Sequence, residues 1–215
     1  LPLLVANGIT VVRNMAGAPQ DLVWRDQIAA GILLGPRIFT AGPIIDEAPR
    51  LVNAERTVAT AAGAEQIVAE QQQLGYDFIK VYDGLSPSAY TYVLAAAQRH
   101  GLDVAGHVPD AMSITSVIGG GQRSIEHLDG YFSVYEDQWP ALISSTLANE
   151  VWNCPTLIIW QHFEPAAGPC TPQQQAILAY RAEHASSIWP LPADFSEHAY
   201  VYSAVSPSRQ QLVAL

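Results

Sequence analysis

Short runs of apolar and β-branched residues recur along the chain, and most are followed by a segment with helical spacing. The pattern predicts six strands, at residues 8–14, 37–45, 78–82, 103–108, 124–128 and 151–160. It predicts a helix between each pair, including a long one over residues 55–75. Strict alternation of strands and helices is typical of a parallel sheet.

The number and spacing of these units favour an α/β fold, an incomplete (β/α)8 TIM barrel with about six parallel β/α units. A complete barrel has eight units in about 250 residues. No segment carries the G-x-G-x-x-G pattern of an open dinucleotide-binding sheet. We expect residues 1–189 to form the partial barrel, and we assign no structure to the tail at residues 190–215.

Composition narrows the range of partners. The chain has 215 residues, with 20 acidic against 10 basic side chains and a formal net charge of −10. This balance disfavours nucleic acid and anionic membranes, and no apolar run approaches the roughly 18 residues of a membrane span. The basic residues are nine arginines and a single lysine, Lys80, which lies inside an apolar strand.

Three consecutive predicted strands carry candidate metal-site residues: Lys80 in FIKVY, His107 in AGHVP and His127 in IEHLD. Barrel enzymes build their sites at the C-terminal ends of strands, and histidine is the commonest metal ligand. A lysine deprotonated in a low-dielectric pocket can react with CO2 to give an anionic carbamate, which can bridge two metals. Structural histidines and a lysine extending to solvent are the alternative. Alternation along the strand predicts Glu126 on the face opposite His127.

These residues and their flanks resemble the amidohydrolase superfamily. The segments GITVVRN, LGPRIFTAG, LGYDFIKVYDG, GLDVAGHVP and SIEHLDG are similar to its imidazolonepropionase-like and Xaa-Pro dipeptidase (prolidase-like) branch, over about residues 1–163. The resemblance implies that a carboxylated Lys80, His107 and His127 bind a divalent metal, with zinc the expected ion. It also implies that Tyr82 holds a substrate carbonyl or carboxylate. His162, after the last predicted strand, is a second substrate-binding candidate.

The sequence departs from the family at both ends. It has no His-x-His pair on a first strand and no Asp at the end of a last strand, where the family places a metal ligand and general base. We therefore expect a barrel that lacks its first and last strands. Lys80, His107 and His127 would then hold one ion weakly, with a fourth position open to water.

The function implied by the resemblance is that of an enzyme, a metal-dependent amidohydrolase. Metal-activated water would hydrolyse an amide or peptide C–N bond, such as that of an Xaa-Pro dipeptide or an N-acyl amino acid. We expect little or no activity from this chain alone. The alternatives are a non-catalytic remnant that acts as an interaction module, and a barrel lyase that forms a Schiff base on Lys80. An incomplete barrel exposes sheet edges, so self-association or a complementing segment is also expected.

Overall fold

The computed structural model describes residues 1–47 and 55–157. The chain divides into two compact units, Leu1–Pro155 and Thr156–Leu215, and every strand and helix given below lies in the first. The boundary predicted near residue 190 and the helix predicted after residue 170 lie outside the described residues.

Eight short strands, six α-helices and two 3-10 helices follow one another along the described chain. The strands are β1 (Val11–Asn14), β2 (Arg37–Thr40), β3 (Ile44–Asp46), β4 (Glu55–Thr57), β5 (Ile79–Val81), β6 (Val104–Gly106), β7 (Ser124–Glu126) and β8 (Trp152–Cys154). The helices are α1 (Pro2–Ala6), α2 (Pro19–Ala29), α3 (Ala61–Leu74), α4 (Pro87–His100), α5 (Ile114–Gly120) and α6 (Trp139–Ala148). None of these helices combines the length and apolarity that crossing a bilayer requires.

All strand pairs are parallel, as the alternating pattern predicts. β1 pairs with β2, while β4, β3, β5, β6, β7 and β8 form a second sheet in that order. A bridge between Ala41, just after β2, and Phe78, just before β5, links the two sheets. The six predicted strand regions therefore stand side by side as β1, β2, β5, β6, β7 and β8. Within the described residues β8 does not pair with β1, so the sheet is open and the predicted incomplete barrel is confirmed.

The strand predicted over residues 37–45 is divided in two by Gly42 and Pro43. A Cβ on Gly42 would lie 2.3 Å from the side chain of Gln71 on α3, so only glycine allows this close approach. Pro43 has no backbone N–H to donate, and its carbonyl accepts a hydrogen bond from Gln71 Nε2 at 2.8 Å. The two halves become β2 and β3.

The helix predicted from residue 55 begins instead at Ala61. The hydroxyl of Thr60 accepts a hydrogen bond from the backbone N–H of Gly63 at 3.1 Å and so caps the first turn. The three residues of β4, although two of them favour helices, pair with β3. Pairing with a neighbouring strand thus overrides local propensity here.

The central strands are covered on both faces. Ile79 and Val81 of β5 pack in the main core with residues of the helices. Phe78, of opposite parity, packs with Ala105 of β6 in a second cluster. We call the face of the sheet that carries this second cluster the inner face. Lys80 lies on it, because alternate residues of a strand share a face.

An ion pair spans the inner face and shows that the sheet is curved. Arg13 Nη2 on β1 lies 2.6 and 2.8 Å from the two carboxylate oxygens of Glu126 on β7. β2, β5 and β6 stand between these strands, so in a flat sheet β1 and β7 would lie about 19 Å apart. A direct side-chain contact therefore requires the strands to wrap around as they do in a barrel wall.

Candidate metal centre

The strand ends place Lys80, His107 and His127 on three neighbouring strands, with the histidines directly after β6 and β7. Gly106, just before His107, has φ of 147°, and a Cβ there would lie 2.1 Å from the carbonyl oxygen of Val81. Glycine is therefore required at this position, because any side chain would clash with the backbone of β5. The close approach brings the end of β6 against the end of β5.

Lys80 is buried on the inner face, with only 3% of its surface exposed. Burial lowers the pKa of its amine to about 8, although the charges of Glu126 and Asp83 act in the opposite direction. Its Nζ lies 5.5 Å from the centre of the Tyr82 ring. A lowered pKa leaves a larger fraction of neutral, nucleophilic amine near neutral pH than an exposed lysine would have.

His107 is buried, and its ring is contacted on several sides. Its Nδ1 lies 2.6 Å from Asp83 Oδ1, and its ring centre lies 4.4 Å from that of Tyr82. Burial, followed by the charge of Lys80, lowers the pKa of His107 well below its usual value. The imidazole is therefore neutral at pH 7, as a metal ligand must be.

His127 approaches His107 edge-on, with the ring centres 5.1 Å apart. Its backbone is left-handed, with φ of 62°, and its N–H donates to the carbonyl oxygen of Cys154 on β8 at 2.7 Å. Burial is the main cause that lowers the pKa of His127 to about 4. The two histidines predicted from the sequence are therefore adjacent in the structure, and both imidazoles are neutral at pH 7.

The expectation that Glu126 lies on the face opposite His127 is wrong. Glu126 is on the inner face, where it binds Arg13 and accepts a hydrogen bond from the Ser124 hydroxyl at 2.7 Å. His127 still reaches the ring of His107, because its left-handed φ interrupts the alternation of the strand. The side chains of Glu126 and His127 therefore lie on the same side of the sheet.

Sequence reasoning missed two carboxylates of this site, Asp83 and Asp129. Ligand atoms of Asp83, His107 and Asp129 all lie within 4.8 Å of one another. Asp129 Oδ2 accepts the backbone N–H of Val108 at 2.6 Å, and burial raises the pKa of Asp129 to about 6. The available signal was an Asp-Gly pair after each of two strand ends, a pattern that equally predicts an ordinary turn.

Of the two predicted substrate-binding residues, Tyr82 lies beside Lys80 and His107. His162 lies outside the described residues. The role of each in substrate binding stays a prediction.

The donor set suits a divalent metal. It combines two neutral imidazoles and two carboxylates, whose nitrogen and oxygen atoms bind divalent ions. Two overlapping ligand groups are available, since His107 belongs both to the predicted Lys80, His107 and His127 group and to the group with Asp83 and Asp129.

Comparison with known proteins identifies solved structures with a similar fold. No protein-family model and no curated protein matches the sequence. Among solved structures, a bottromycin amidohydrolase matches with a TM-score of 0.63 and 24% identity, over 93% of this chain and 49% of its own. A Bifidobacterium longum protein assigned as a prolidase matches with a TM-score of 0.56 and 25% identity, over 72% of this chain and 41% of its own. A Xaa-Pro dipeptidase with bound methionine matches with a TM-score of 0.57 and 22% identity, over 93% of this chain and 53% of its own.

These matches confirm the resemblance inferred from the sequence, at the level of the fold. The described chain has an incomplete barrel whose fold is similar to that of amidohydrolases, and structures described as a prolidase and a Xaa-Pro dipeptidase are among its neighbours. The chain spans about half the length of the structures it matches.

Proposed function

We propose that the chain carries part of the metal centre of an amidohydrolase, which hydrolyses an amide or peptide C–N bond. The observation that carries this proposal is the convergence of a buried Lys80 with two neutral imidazoles, whose ring centres lie 5.1 Å apart, at the ends of neighbouring strands. The fold shared with amidohydrolases and prolidases supports the same reaction class.

Each residue has a definite role in this proposal. Lys80 adds its neutral amine to CO2 and releases a proton, which leaves a carbamate that can bind metal together with His107 and His127. A divalent ion held there, zinc in our proposal, would lower the pKa of water and polarise the amide carbonyl. Tyr82 lies next to these ligands and is proposed to orient the carbonyl or carboxylate of the substrate.

The structural neighbours support a proposal for the substrate class. One neighbour is described as a prolidase bound to N-methylphosphonate-L-proline, and another as a Xaa-Pro dipeptidase. We propose a small acylated amino acid or an Xaa-Pro dipeptide as the substrate. We also propose that the ligands present in this chain retain one ion weakly and give little hydrolysis without further barrel strands.

Metal analysis of the purified full chain tests the proposal. After loading with zinc and bicarbonate, we expect about one equivalent of zinc per chain and a carbamate signal from 13C-bicarbonate in the NMR spectrum. K80M should remove the carbamate signal and H107A should remove the zinc. The control is H100A, because His100 lies at the end of α4 and pairs with Glu65. No zinc, or two tightly held equivalents, would contradict the proposal.

The Schiff-base alternative rests on the same lowered pKa of Lys80. A neutral buried amine can also attack a carbonyl carbon and expel water to form an imine. Borohydride reduction of the chain with a small ketone or aldehyde would trap the product on Lys80. Covalent labelling that K80M abolishes, without bicarbonate-dependent zinc uptake, would favour the lyase.

A further inference from the structure

We propose that a cavity between α2 and the first half of β2 binds a small monocarboxylate with an apolar or aromatic body. The cavity is lined by the first residue of β2 and by residues that precede β5, so it lies at the N-terminal ends of the strands. The candidate metal centre lies at their C-terminal ends. The volume of the cavity is about 560 Å³, within the range of small-molecule sites. It is a second site, and it does not depend on the proposed function.

The cavity arises where β2 and β5 separate. β2 pairs with β1 along its whole length, but it meets the chain of β5 at a single bridge, between Ala41 and Phe78. Before this bridge the chain of β5 is still leaving α3, which is capped by Gly75. No strand of the described chain therefore pairs with the edge of β2 at Ile38. Residues of α2 line this gap, and because none of them is buried the helix does not fill it.

The unpaired edge of β2 provides backbone hydrogen-bonding groups. The N–H groups of Arg37 and Ala41 donate to carbonyls on the β1 side, each at 2.9 Å. Alternate residues of a paired strand direct these groups to opposite sides, so Ile38 and Thr40 present theirs to the gap. Asp77 occupies those of Thr40, with contacts of 2.8 and 2.9 Å. The N–H of Ile38 has no acceptor among the residues that the structure describes, so it remains available to a ligand.

Two arginines give the cavity a positive charge. Arg25 Nη1 lies 3.3 Å from Asp77 Oδ2, so the only carboxylate among the residues that line the cavity is already paired. Asp26 also approaches Arg25, but its side chain is 78% exposed, and such surface pairs contribute little. Arg37 has no ion pair within residues 1–47 and 55–157, and its guanidinium carbon lies 4.7 Å from the ring centre of Phe39. The unbalanced charge of Arg37 suits a monoanion.

The remaining walls of the cavity are apolar. They are formed by Ile28 and Ala29 of α2 and by Ile38 and Phe39 of β2. A guanidinium that lies over an aromatic ring keeps its N–H groups free to bind a carboxylate through two hydrogen bonds. A carboxylate bound by Arg37 would place the rest of the ligand against the apolar walls. The combination therefore favours an apolar carboxylate over a sugar or an inorganic anion.

Titration of the full chain with 3-phenylpropionate, followed by methyl NMR, tests the proposal. We expect saturable binding with a dissociation constant of about 1 mM or lower and shifts of the Ile28, Ala29 and Ile38 methyl signals. The uncharged 3-phenylpropionamide should bind at least about 10-fold more weakly, because it cannot form a charge-assisted pair with Arg37. Equal affinity for the acid and the amide, tighter binding of phenyl phosphate, or no saturable binding would overturn the proposal without any variant.

Substitutions then locate the site of binding. R37Q removes an exposed charge and should weaken binding of 3-phenylpropionate by about 10-fold or more, while A29F should fill the cavity and abolish binding. The control is R99Q, because Arg99 is an exposed arginine on α4 that pairs with Glu65. Unchanged affinity in R37Q and A29F would contradict the assignment. Methyl shifts confined to the surroundings of Lys80 would place the probe at the metal centre and would also contradict it.

Discussion

The centre and the edges of the sheet are built differently, although the strands have similar lengths. Every residue of β5, β6 and β7 is buried, whereas two of the described edge strands, β1 and β8, contain no buried residue. Large apolar side chains at the edges remain in water, with Val11 55% and Trp152 67% exposed. The candidate site lies entirely at the ends of the covered strands.

This difference explains the chemistry of the site. Polar groups on covered strands lose their water, which lowers the pKa values of Lys80, His107 and His127 and raises that of Asp129. At the edges, a charged side chain would keep its solvent. The covered centre therefore provides groups with shifted pKa values, whereas the side chains of the edge strands remain exposed to solvent.

The largest expected effect comes from the ion pair that joins an edge strand to a central one. R13M would remove the ion-pair partner of the buried Glu126 carboxylate, and the Ser124 hydroxyl and the attraction of Lys80 would compensate only in part. We expect a loss of about 3 kcal/mol in the free energy of unfolding, measured by urea denaturation. Adding E126Q to R13M should recover most of the loss, because it removes the unpaired charge.

The control for this prediction is a surface pair of the same length. Arg56 and Glu70 are also 2.6 Å apart, but both side chains are more than two-fifths exposed. R56M should cost less than about 0.5 kcal/mol. Equal losses in R13M and R56M would show that the contact across the inner face does not support the curved sheet.

A smaller effect is expected from the pH dependence of stability. The pKa of His127 is about 4 in the folded chain, against 6.5 for the free side chain. Below pH 6.5 the unfolded chain takes up a proton that the folded chain refuses, so stability falls as the pH drops towards 4. His107 acts in the same direction, whereas the raised pKa of Asp129 acts in the opposite one.

H127N isolates the contribution of His127, and asparagine tolerates the left-handed backbone at this position. Between pH 7 and pH 5 the variant should lose about 1 kcal/mol less stability than the wild type, allowing for partial access of water to the ring. Thermal or urea unfolding at both pH values measures this. An equally steep loss in H127N would mean that the ring is not kept neutral by burial.

The sequence predicted most of the framework and only part of the site. Six strand regions could be located, because β-branched runs and helical spacing are local signals that the parallel sheet preserves. Lys80 and the two histidines stood out because polar residues are unusual in such runs. The short strand β4 was missed because its pairing with β3 is not encoded in its own composition.

The rest of the site depends on how loops fold back, which a linear pattern does not specify. Asp83 and Asp129 each precede a glycine, and Asp-Gly is an ordinary turn sequence. Their contacts with His107 and Val108 arise only when three loops meet. The positions of Glu126 and His127 were wrongly predicted for a different reason. His127 is not a glycine, yet its backbone is left-handed, and this interrupts the alternation of side chains expected along a strand.

The smallest effect on stability is expected from substitutions that test whether the edge strands mediate self-association. We expect copies of this chain to associate through β1 and β8, since among the described residues each of them pairs on one side only and exposes Val11 or Trp152. V11K with W152K should make the chain monomeric in sedimentation experiments and change the free energy of unfolding by less than about 0.5 kcal/mol. L74K, at an equally exposed position at the end of α3, should leave association unchanged. A wild-type chain that stays monomeric at high concentration, or a double variant that associates equally, would show that these edges are not the contact surface.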